Sequence, residues 1–485
     1  MSPIDCLCVR LLRKPIALIW DIPISYNRSA LVQPDGASSI SPGKVNTHMD
    51  SPTLLKGAEA AQREQMEART YAKVTVRLLP FLFICYVAAY LDRVNVGFAK
   101  LQMLSDLQFS ETVYGLGAGI FFIGYFLFEV PSNIIMHKVG ARVWIGRIMI
   151  TWAILSGAMI FVNSPTMFYV LRFLLGVAEA GFFPGIVMYL TYWFPAQRRS
   201  RMNALFMIGI PIAGVVGGPL SGWILNALNG FRGMPGWQWL FVIEAVPSLV
   251  LGVVTLFYLP NSIRAASWLS NEEKMLLEAN IAKDNTGKVD HSLSGVFGNG
   301  RVWLMAAIYF CCMMGLYGVG FYLPTLIKAA GVKDALDVGL LTAIPYGCAV
   351  IAMLAVAKSA DRTRERRWHF TVASALGGLG LLLATIYGDN VVLAMAALSL
   401  GTAGLLATMP VFWTYPSAIL GGSAAAAGIA MINSIGNLAG FVSPSIIGWM
   451  KDVTNSTNAG MYVVSAALFL GALLALLQPR SLVNR

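Results

Sequence analysis

Six ionisable side chains lie well inside long apolar stretches of this 485-residue sequence, all in its first half: Asp92, Arg93, Glu129, Arg172, Glu179 and Glu244. A charge at the centre of a bilayer costs ~2.5–3.5 kcal/mol on insertion scales, so such a residue normally faces a partner or a water-filled cavity. Arginine holds a carboxylate bidentately and keeps its charge, whereas burial favours the protonated form of an acid. Two arginines beside two acids therefore predict a site for an anion and a proton.

The spacing of these residues indicates which of them meet. Arg172 and Glu179 are seven residues apart, almost two helical turns, so they share one helix face, with Gly176 between them leaving space. Counted at ~1.5 Å per residue along their apolar stretches, Asp92, Arg93 and Arg172 come to similar depth, with Glu179 nearer the midplane. The alternative is a structural ion pair that only locks helices together.

The composition indicates which kind of structure positions these charged side chains. The chain is 57% hydrophobic and 12% charged, against about 25% charged residues in soluble proteins. This excludes a disordered chain and disfavours a cytosolic enzyme. Apolar blocks long enough to cross ~30 Å of hydrocarbon predict twelve transmembrane helices, at 78–99, 113–136, 144–162, 166–193, 202–226, 239–260, 302–327, 337–357, 369–387, 391–416, 424–449 and 459–478.

Matching signals recur in the two halves of the chain. The loops 139–144 and 361–368 both enter the next apolar block at a tryptophan, and the small-residue tracts 218–223 and 443–449 occupy corresponding blocks. Internal repeats of this kind are typical of transporters. We therefore predict an all-α membrane protein with twelve transmembrane helices in two pseudo-symmetric six-helix bundles.

The polar segments divide the chain around these bundles. We predict a disordered cytoplasmic tail over 1–70, with Met49 as an alternative start, and bundles over 71–260 and 301–478. A cytoplasmic loop, 261–300, joins the bundles, and residues 479–485 form a cytoplasmic C-terminus. If both termini are inside, the inner loops carry most of the loop Lys and Arg, as the positive-inside rule requires.

Four motifs taken together resemble the major facilitator superfamily, and within it the anion:cation symporter family. They are Tyr90–Asn95, Gly124–Asn133, Arg172–Gly185 and Gly236–Trp239 with Ile243 and Glu244. The resemblance covers about residues 70–480, and the first half is most similar to bacterial tartrate, phthalate and sugar-acid permeases. The superfamily's usual Asp-Arg pair is missing from loop 139–144, although Asp361 and Arg362 keep it in the second half.

The resemblance implies proton symport of an organic-acid anion in the bacterial inner membrane. It implies that two arginines, Arg93 and Arg172, bind the substrate carboxylate, and that Asp92 and Glu179 couple proton movement. Four further side chains are implied as lining the cavity: Tyr90, Tyr125, Trp413 and Asn433. For these four, plain packing is the alternative role.

The remaining charges are expected to have gating or structural roles: Glu129, Glu244, Asp361 and Arg362. Glu129 and Glu244 have no cationic partner in their own spans. The glycine-interrupted run 315–320, which contains Tyr317, predicts a flexible and broken seventh span.

Other functions stay open at this point. An anion exchanger or exporter, a membrane sensor without flux and, third, a membrane enzyme are the alternatives to import. The sequence carries no HExxH, Walker-type or Gly-x-Ser-x-Gly motif, so we expect no enzyme activity, metal or cofactor. We expect a monomer in the lipid bilayer whose partners are a small organic anion and the proton, with no nucleic acid.

Overall fold

The computed structural model describes residues 51–195, 198, 206–285, 298–419 and 422–484. Twelve helical segments in these ranges are long and apolar enough to cross a membrane, which confirms the predicted number of spans. The helices are α1 (Ser51–Leu107), α2 (Glu111–Val139), α3 (Ala141–Gly157), α4 (Pro165–Glu179), α5 (Phe182–Thr191), α6 (Gly209–Ala227), α7 (Gly236–Tyr258), α8 (Asn271–Asn285), α9 (Gly300–Ala329), α10 (Ala335–Thr363), α11 (Arg366–Ile386), α12 (Val391–Phe412), α13 (Thr414–Ile419), α14 (Gly422–Thr454), α15 (Thr457–Leu476) and α16 (Arg480–Val483).

The first helix differs from the sequence prediction. Residues 51–70 are helical, as the beginning of α1, rather than part of a disordered tail. The stretch 58–69 is made almost entirely of Ala, Glu, Gln, Arg and Met, which are strong helix formers. Residues 1–50 lie outside the described residues. The predicted loop 261–300 likewise contains a helix, α8, which begins with Glu272 and Glu273 in its first turn.

The fourth span is interrupted in its middle. α4 ends at Glu179, and α5 begins at Phe182 after Gly181, whose φ is +85°. Pro184 lacks an N–H and clashes with the carbonyl four residues earlier, which here belongs to Ala180. A side chain on Gly181 is excluded twice, by the left-handed φ and because its Cβ would lie 2.3 Å from the Ser132 hydroxyl oxygen.

The fourth span of the second half is interrupted in the same way. α12 ends at Phe412, and α13 begins at Thr414 after Trp413. Pro416 follows Trp413 by three residues, the same offset that separates Pro184 from Gly181. The equivalent proline breaks support the predicted pseudo-symmetry. The seventh span, in contrast, is one continuous helix, α9, so the prediction of a break at 315–320 is wrong.

Among the described residues, the bundles meet most extensively at two helix pairs, α2 with α14 and α6 with α10. Both pairs cross at glycines. A Cβ on Gly448 would lie 2.3 Å from the carbonyl oxygen of Glu111, and a Cβ on Gly339 would lie 2.3 Å from that of Gly218. Small residues at these crossings let the backbones approach closely, which is a main source of helix association in lipid.

These crossings predict different outcomes for two glycine-to-alanine substitutions. Gly448→Ala forces α14 away from α2, and overpacking of this kind costs ~1–3 kcal/mol. Gly347→Ala is the matched control, because no neighbouring atom of the described residues lies within 4 Å of the position that its Cβ would take; alanine there gains up to ~1 kcal/mol of helix propensity. We expect the melting temperature of the purified protein to fall for Gly448→Ala only. Equal melting temperatures would contradict the close crossing.

Candidate functional site

An ion pair between α1 and the end of α4 forms the centre of the candidate site. Nε of Arg93 donates to Oε1 of Glu179 at 3.1 Å, and Nη2 contacts the same oxygen. The guanidinium carbon lies 5.4 Å from the ring centroids of both Phe121 and Tyr125. Arg93 retains 12% of its side-chain exposure and Glu179 only 1%. The arginine is therefore the accessible partner of a nearly buried pair.

Arg172 also lies close to Phe121. Its guanidinium carbon is 5.1 Å from the Phe121 centroid, so both predicted arginines contact the same ring. Arg172 is fully buried and donates to the α2 carbonyl oxygens of Gly117 and Ala118, each at 3.2 Å. In this conformation it holds α2 against α4 and is closed to solvent.

The predicted space beside Gly176 is occupied by the backbone of α2. A Cβ on Gly176 would lie 1.9 Å from the carbonyl oxygen of Phe121. The glycine therefore admits a neighbouring helix to the Arg172–Glu179 face rather than leaving room for a ligand.

Asp92 is adjacent to Arg93 in sequence but has different neighbours. Its carboxylate accepts hydrogen bonds from Trp152 Nε1 and Ser156 Oγ, each at 3.0 Å, and from Ser248 Oγ. These donors come from α3 and α7, and Asp92 is buried. The structure thus brings three of the four predicted charges together around Phe121 and places Asp92 in a separate hydrogen-bonded cluster inside the first bundle.

Glu244 extends this internal cluster. Ser221 of α6 donates to its Oε1 at 2.6 Å, and Asn95 of α1 lies beside the same carboxylate. Glu244 is buried. Among the described residues, Glu244 forms no ion pair.

Glu129 contacts the second bundle. Nδ2 of Asn433 on α14 donates to Oε1 of Glu129 on α2 at 3.0 Å. The expected gating or structural residue and one expected cavity residue therefore bind each other across the bundle interface. The two residues are 304 positions apart in the chain, so no local sequence pattern predicts this contact.

The other predicted cavity residues lie in aromatic surroundings. Trp413 packs against Tyr309, with ring centroids 5.0 Å apart, and Tyr90 is buried with its hydroxyl 3.7 Å from the position of a Cβ on Gly320. Tyr317 donates to Asn437 Oδ1 at 3.1 Å. Phe121 and Tyr309 were not predicted from sequence. Phe121 lies one helical turn before Tyr125, a residue of the second-span motif, and this spacing could have identified it as a site residue.

Asp361 and Arg362 are exposed at the end of α10. Glu365 makes the contacts instead: it caps α11 through the Trp368 N–H and binds Arg480 at 2.9 Å. Partial burial acts to raise the pKa of the Glu365 carboxyl, but hydrogen bonds from Arg480, Asn484 and the backbone outweigh it and hold the pKa below its ordinary value.

A seventh buried charge, Lys100, was also missed. Its Nζ lies 2.6 Å from Oε2 of Glu111 and 4.0 Å from the Tyr322 ring centroid. Lys451 of α14 binds the same carboxylate. This cluster joins the bundles where α1 ends and α2 begins, the end predicted to face outward. Lys100 lies near the end of its span, which is why hydropathy alone did not single it out.

Comparison with known proteins agrees with this architecture. The chain is 49% identical over 86% of its length to a provisionally assigned metabolite transport protein, NicT, of Pseudomonas putida, and covers 95% of that protein. It is 49% identical over 86% of its length to a provisionally assigned tartrate transporter of Agrobacterium vitis, covering 92% of it. A crystal structure of a D-xylose-proton symporter has the same fold, with a TM-score of 0.65 at 17% identity, covering 82% of this chain and 97% of that one.

These relatives are membrane transporters rather than enzymes, and the profile of the Major Facilitator Superfamily matches residues 82–444. The chain is a multi-pass membrane transporter that belongs to the major facilitator superfamily.

Proposed function

We propose that this transporter imports an organic-acid anion together with protons across the bacterial inner membrane. The observation that carries the proposal is the Arg93–Glu179 pair, in which an accessible guanidinium is held by a nearly buried acid. The 49% identity to a provisionally assigned tartrate transporter supports a small carboxylate such as tartrate or a sugar acid as the substrate. The excess of Lys and Arg in the predicted inner loops supports cytoplasmic termini.

The substrate carboxylate and Glu179 compete for Arg93, and this competition couples transport of the organic anion to transport of the proton. A substrate carboxylate and the Glu179 carboxylate require the same N–H donors, because one guanidinium fork matches one carboxylate. When Glu179 takes up a proton it releases Arg93, which then binds the substrate. When the substrate leaves on the other side, Glu179 releases its proton and binds Arg93 again. The buried pair is never left with one uncompensated charge.

The other charges support this exchange without taking part in it. Arg172 anchors α2 through two carbonyl oxygens and keeps a second positive charge beside Phe121. Asp92 anchors α1 to α3 and α7, which fixes the helix that carries Arg93. We therefore assign the coupling proton to Glu179 and a positioning role to Asp92.

Substitutions in the ion pair test the coupling in reconstituted vesicles with labelled tartrate, gluconate and phthalate. Arg93→Lys keeps the charge but loses the planar fork, so we expect binding of the transported acid to weaken roughly ten- to a hundredfold. Glu179→Gln mimics the protonated acid but releases no proton. It should still exchange substrate across the membrane, while accumulation driven by a pH gradient disappears.

The exposed residues Arg142 and Glu272 provide the matched controls. Arg142→Lys and Glu272→Gln should transport like the wild type. If Glu179→Gln still accumulates substrate against its gradient, Glu179 is not the coupling acid. If the wild type exchanges substrate but never accumulates it under a pH gradient, the chain is an exchanger.

Asp92 should differ from Glu179 in its effect on stability. Asp92→Ala leaves the buried donors of Trp152, Ser156 and Ser248 without an acceptor, and each unsatisfied buried group costs ~1–3 kcal/mol. We expect a marked fall in melting temperature that added substrate does not reverse. Glu179→Gln leaves Arg93 without its counter-charge, so its melting temperature should also fall, but binding of the substrate carboxylate to Arg93 should restore it. A stable Asp92→Ala variant that has lost only proton coupling would move the coupling role to Asp92.

A further inference from the structure

Glu244 and Asn95 carry three buried polar atoms that make no hydrogen bond to any described residue. These atoms are Oε2 of Glu244 and both polar atoms of the Asn95 amide. Glu244 is 3% exposed and Asn95 only 1%, and the amide lies beside the carboxylate. Ser221 donates to the other carboxylate oxygen, Oε1, at 2.6 Å. Buried polar groups are normally paired, so this cluster has the composition of a binding site for a very small species.

The cluster borders a small cavity between the two bundles. Asn95 and Ser221 line the cavity from α1 and α6, and Thr342 and Tyr346 line it from α10 of the second bundle. The cavity lies at the crossing of α6 with α10, where a Cβ on Gly218 would be 3.1 Å from Cβ of Thr342. Its volume is about 10 Å³, roughly the space that one water molecule needs. A proton fits this site, whereas a hydrated metal ion or an organic acid does not.

A second carboxylate, that of Asp92, belongs to the same cluster. Glu244 and Ser248 lie one turn apart on α7, and Ser248 donates to Asp92, which is close enough to repel an ionised Glu244. The other side chains that bind the two acids, from α3 and α6, are one tryptophan and two serines, which do not titrate. Among the described residues, no cation pairs with either acid, so the cluster contains two like charges if both acids are ionised.

The hydrogen-bond donors indicate which of the two acids holds a proton. Asp92 accepts three hydrogen bonds, which favour its ionised form, whereas Glu244 accepts one. Burial and the neighbouring charge both favour a protonated Glu244. A protonated carboxyl also provides an O–H donor, and the carbonyl oxygen of the adjacent Asn95 amide is a matching acceptor. Protonation of Glu244 therefore gives partners to atoms that an ionised carboxylate leaves unpaired.

We propose that Glu244, Asn95 and Ser221 form a proton site that must be occupied before the two bundles close over it. When α6 separates from α10, water reaches the cavity and stabilises an ionised Glu244. Closure removes this water, and a buried carboxylate without a cation is costly inside the membrane. Transport therefore slows at alkaline pH, independently of the coupling proton at Glu179. The inference rests on the proposed function, because it requires the bundle movement of a transport cycle.

The pH dependence of substrate exchange tests this site in vesicles with equal pH on both sides. Labelled tartrate and gluconate are the probes, and Glu179→Gln is the background, because it removes the titration of the coupling acid. Exchange should fall as the pH rises from about 6 to about 9, by up to about tenfold per pH unit, as one titrating group requires. In the double variant Glu179→Gln with Glu244→Gln, the exchange rate should stay constant, because the amide is neutral throughout.

Two further substitutions in the same background provide the controls. Glu129 is also a buried acid between the bundles, so Glu129→Gln is the matched control and should retain the alkaline fall. Glu244→Asp keeps a titrating acid and should retain it too. The background variant alone provides a second measurement: its vibrational spectrum should show a protonated carboxylic acid that ionises over the pH range in which exchange falls.

The outcomes separate this inference from the function on which it rests. Exchange by Glu179→Gln that does not fall at alkaline pH overturns the proton site at Glu244. A fall that persists in the double variant, or that Glu129→Gln also removes, overturns it as well. Loss of proton-driven accumulation in the single variant Glu244→Gln would make Glu244 a coupling acid and contradict its separate role. Absence of Arg93-dependent exchange for every acid tested overturns the proposed function instead.

Discussion

A charged arginine and a carboxylate are tolerated inside a bilayer only while each compensates the other, and the pair of Arg93 and Glu179 meets this requirement. The surrounding structure serves that constraint. Phe121 and Tyr125 cover the guanidinium, and the break after α4 leaves Glu179 at a helix end. Because either charge alone is costly, any anion that replaces Glu179 at Arg93 requires that Glu179 be protonated. In the proposed mechanism, this electrostatic requirement alone couples the substrate to the proton, and no dedicated proton relay is needed.

Equivalent interruptions occur in the fourth spans of the two halves, and the one in the first half directly follows Glu179. Gly181 and Trp413 each precede a proline by three residues, so each fourth span has lost a helical hydrogen bond at the same position. Between the bundles, α2 crosses α14 and α6 crosses α10 at glycines that let the backbones approach closely. For the proposed transport cycle we expect the two bundles to rock against each other as units.

Hydropathy predicted the twelve spans because the bilayer imposes their length, and repeated small-residue tracts predicted the two halves. The site was predicted less completely. Counting residues gives the height of a side chain along a helix but not its direction. Consecutive residues point about 100° apart, so Asp92 and Arg93 lie at the same depth but contact different side chains. Arg172 donates to backbone carbonyl oxygens. Every residue type has such an oxygen, so the sequence does not indicate this contact. The contact of Glu129 with Asn433 depends on how two bundles dock, which no local pattern encodes.

The most direct test of the central claim is a vibrational difference spectrum of the purified transporter with and without its transported acid. The account predicts that substrate binding produces the carbonyl band of a newly protonated carboxylic acid in the wild type, and that this band is absent in Glu179→Gln. A wild-type spectrum without such a band, or a band that persists in Glu179→Gln, would contradict the claim that Glu179 is protonated as the substrate takes its place at Arg93.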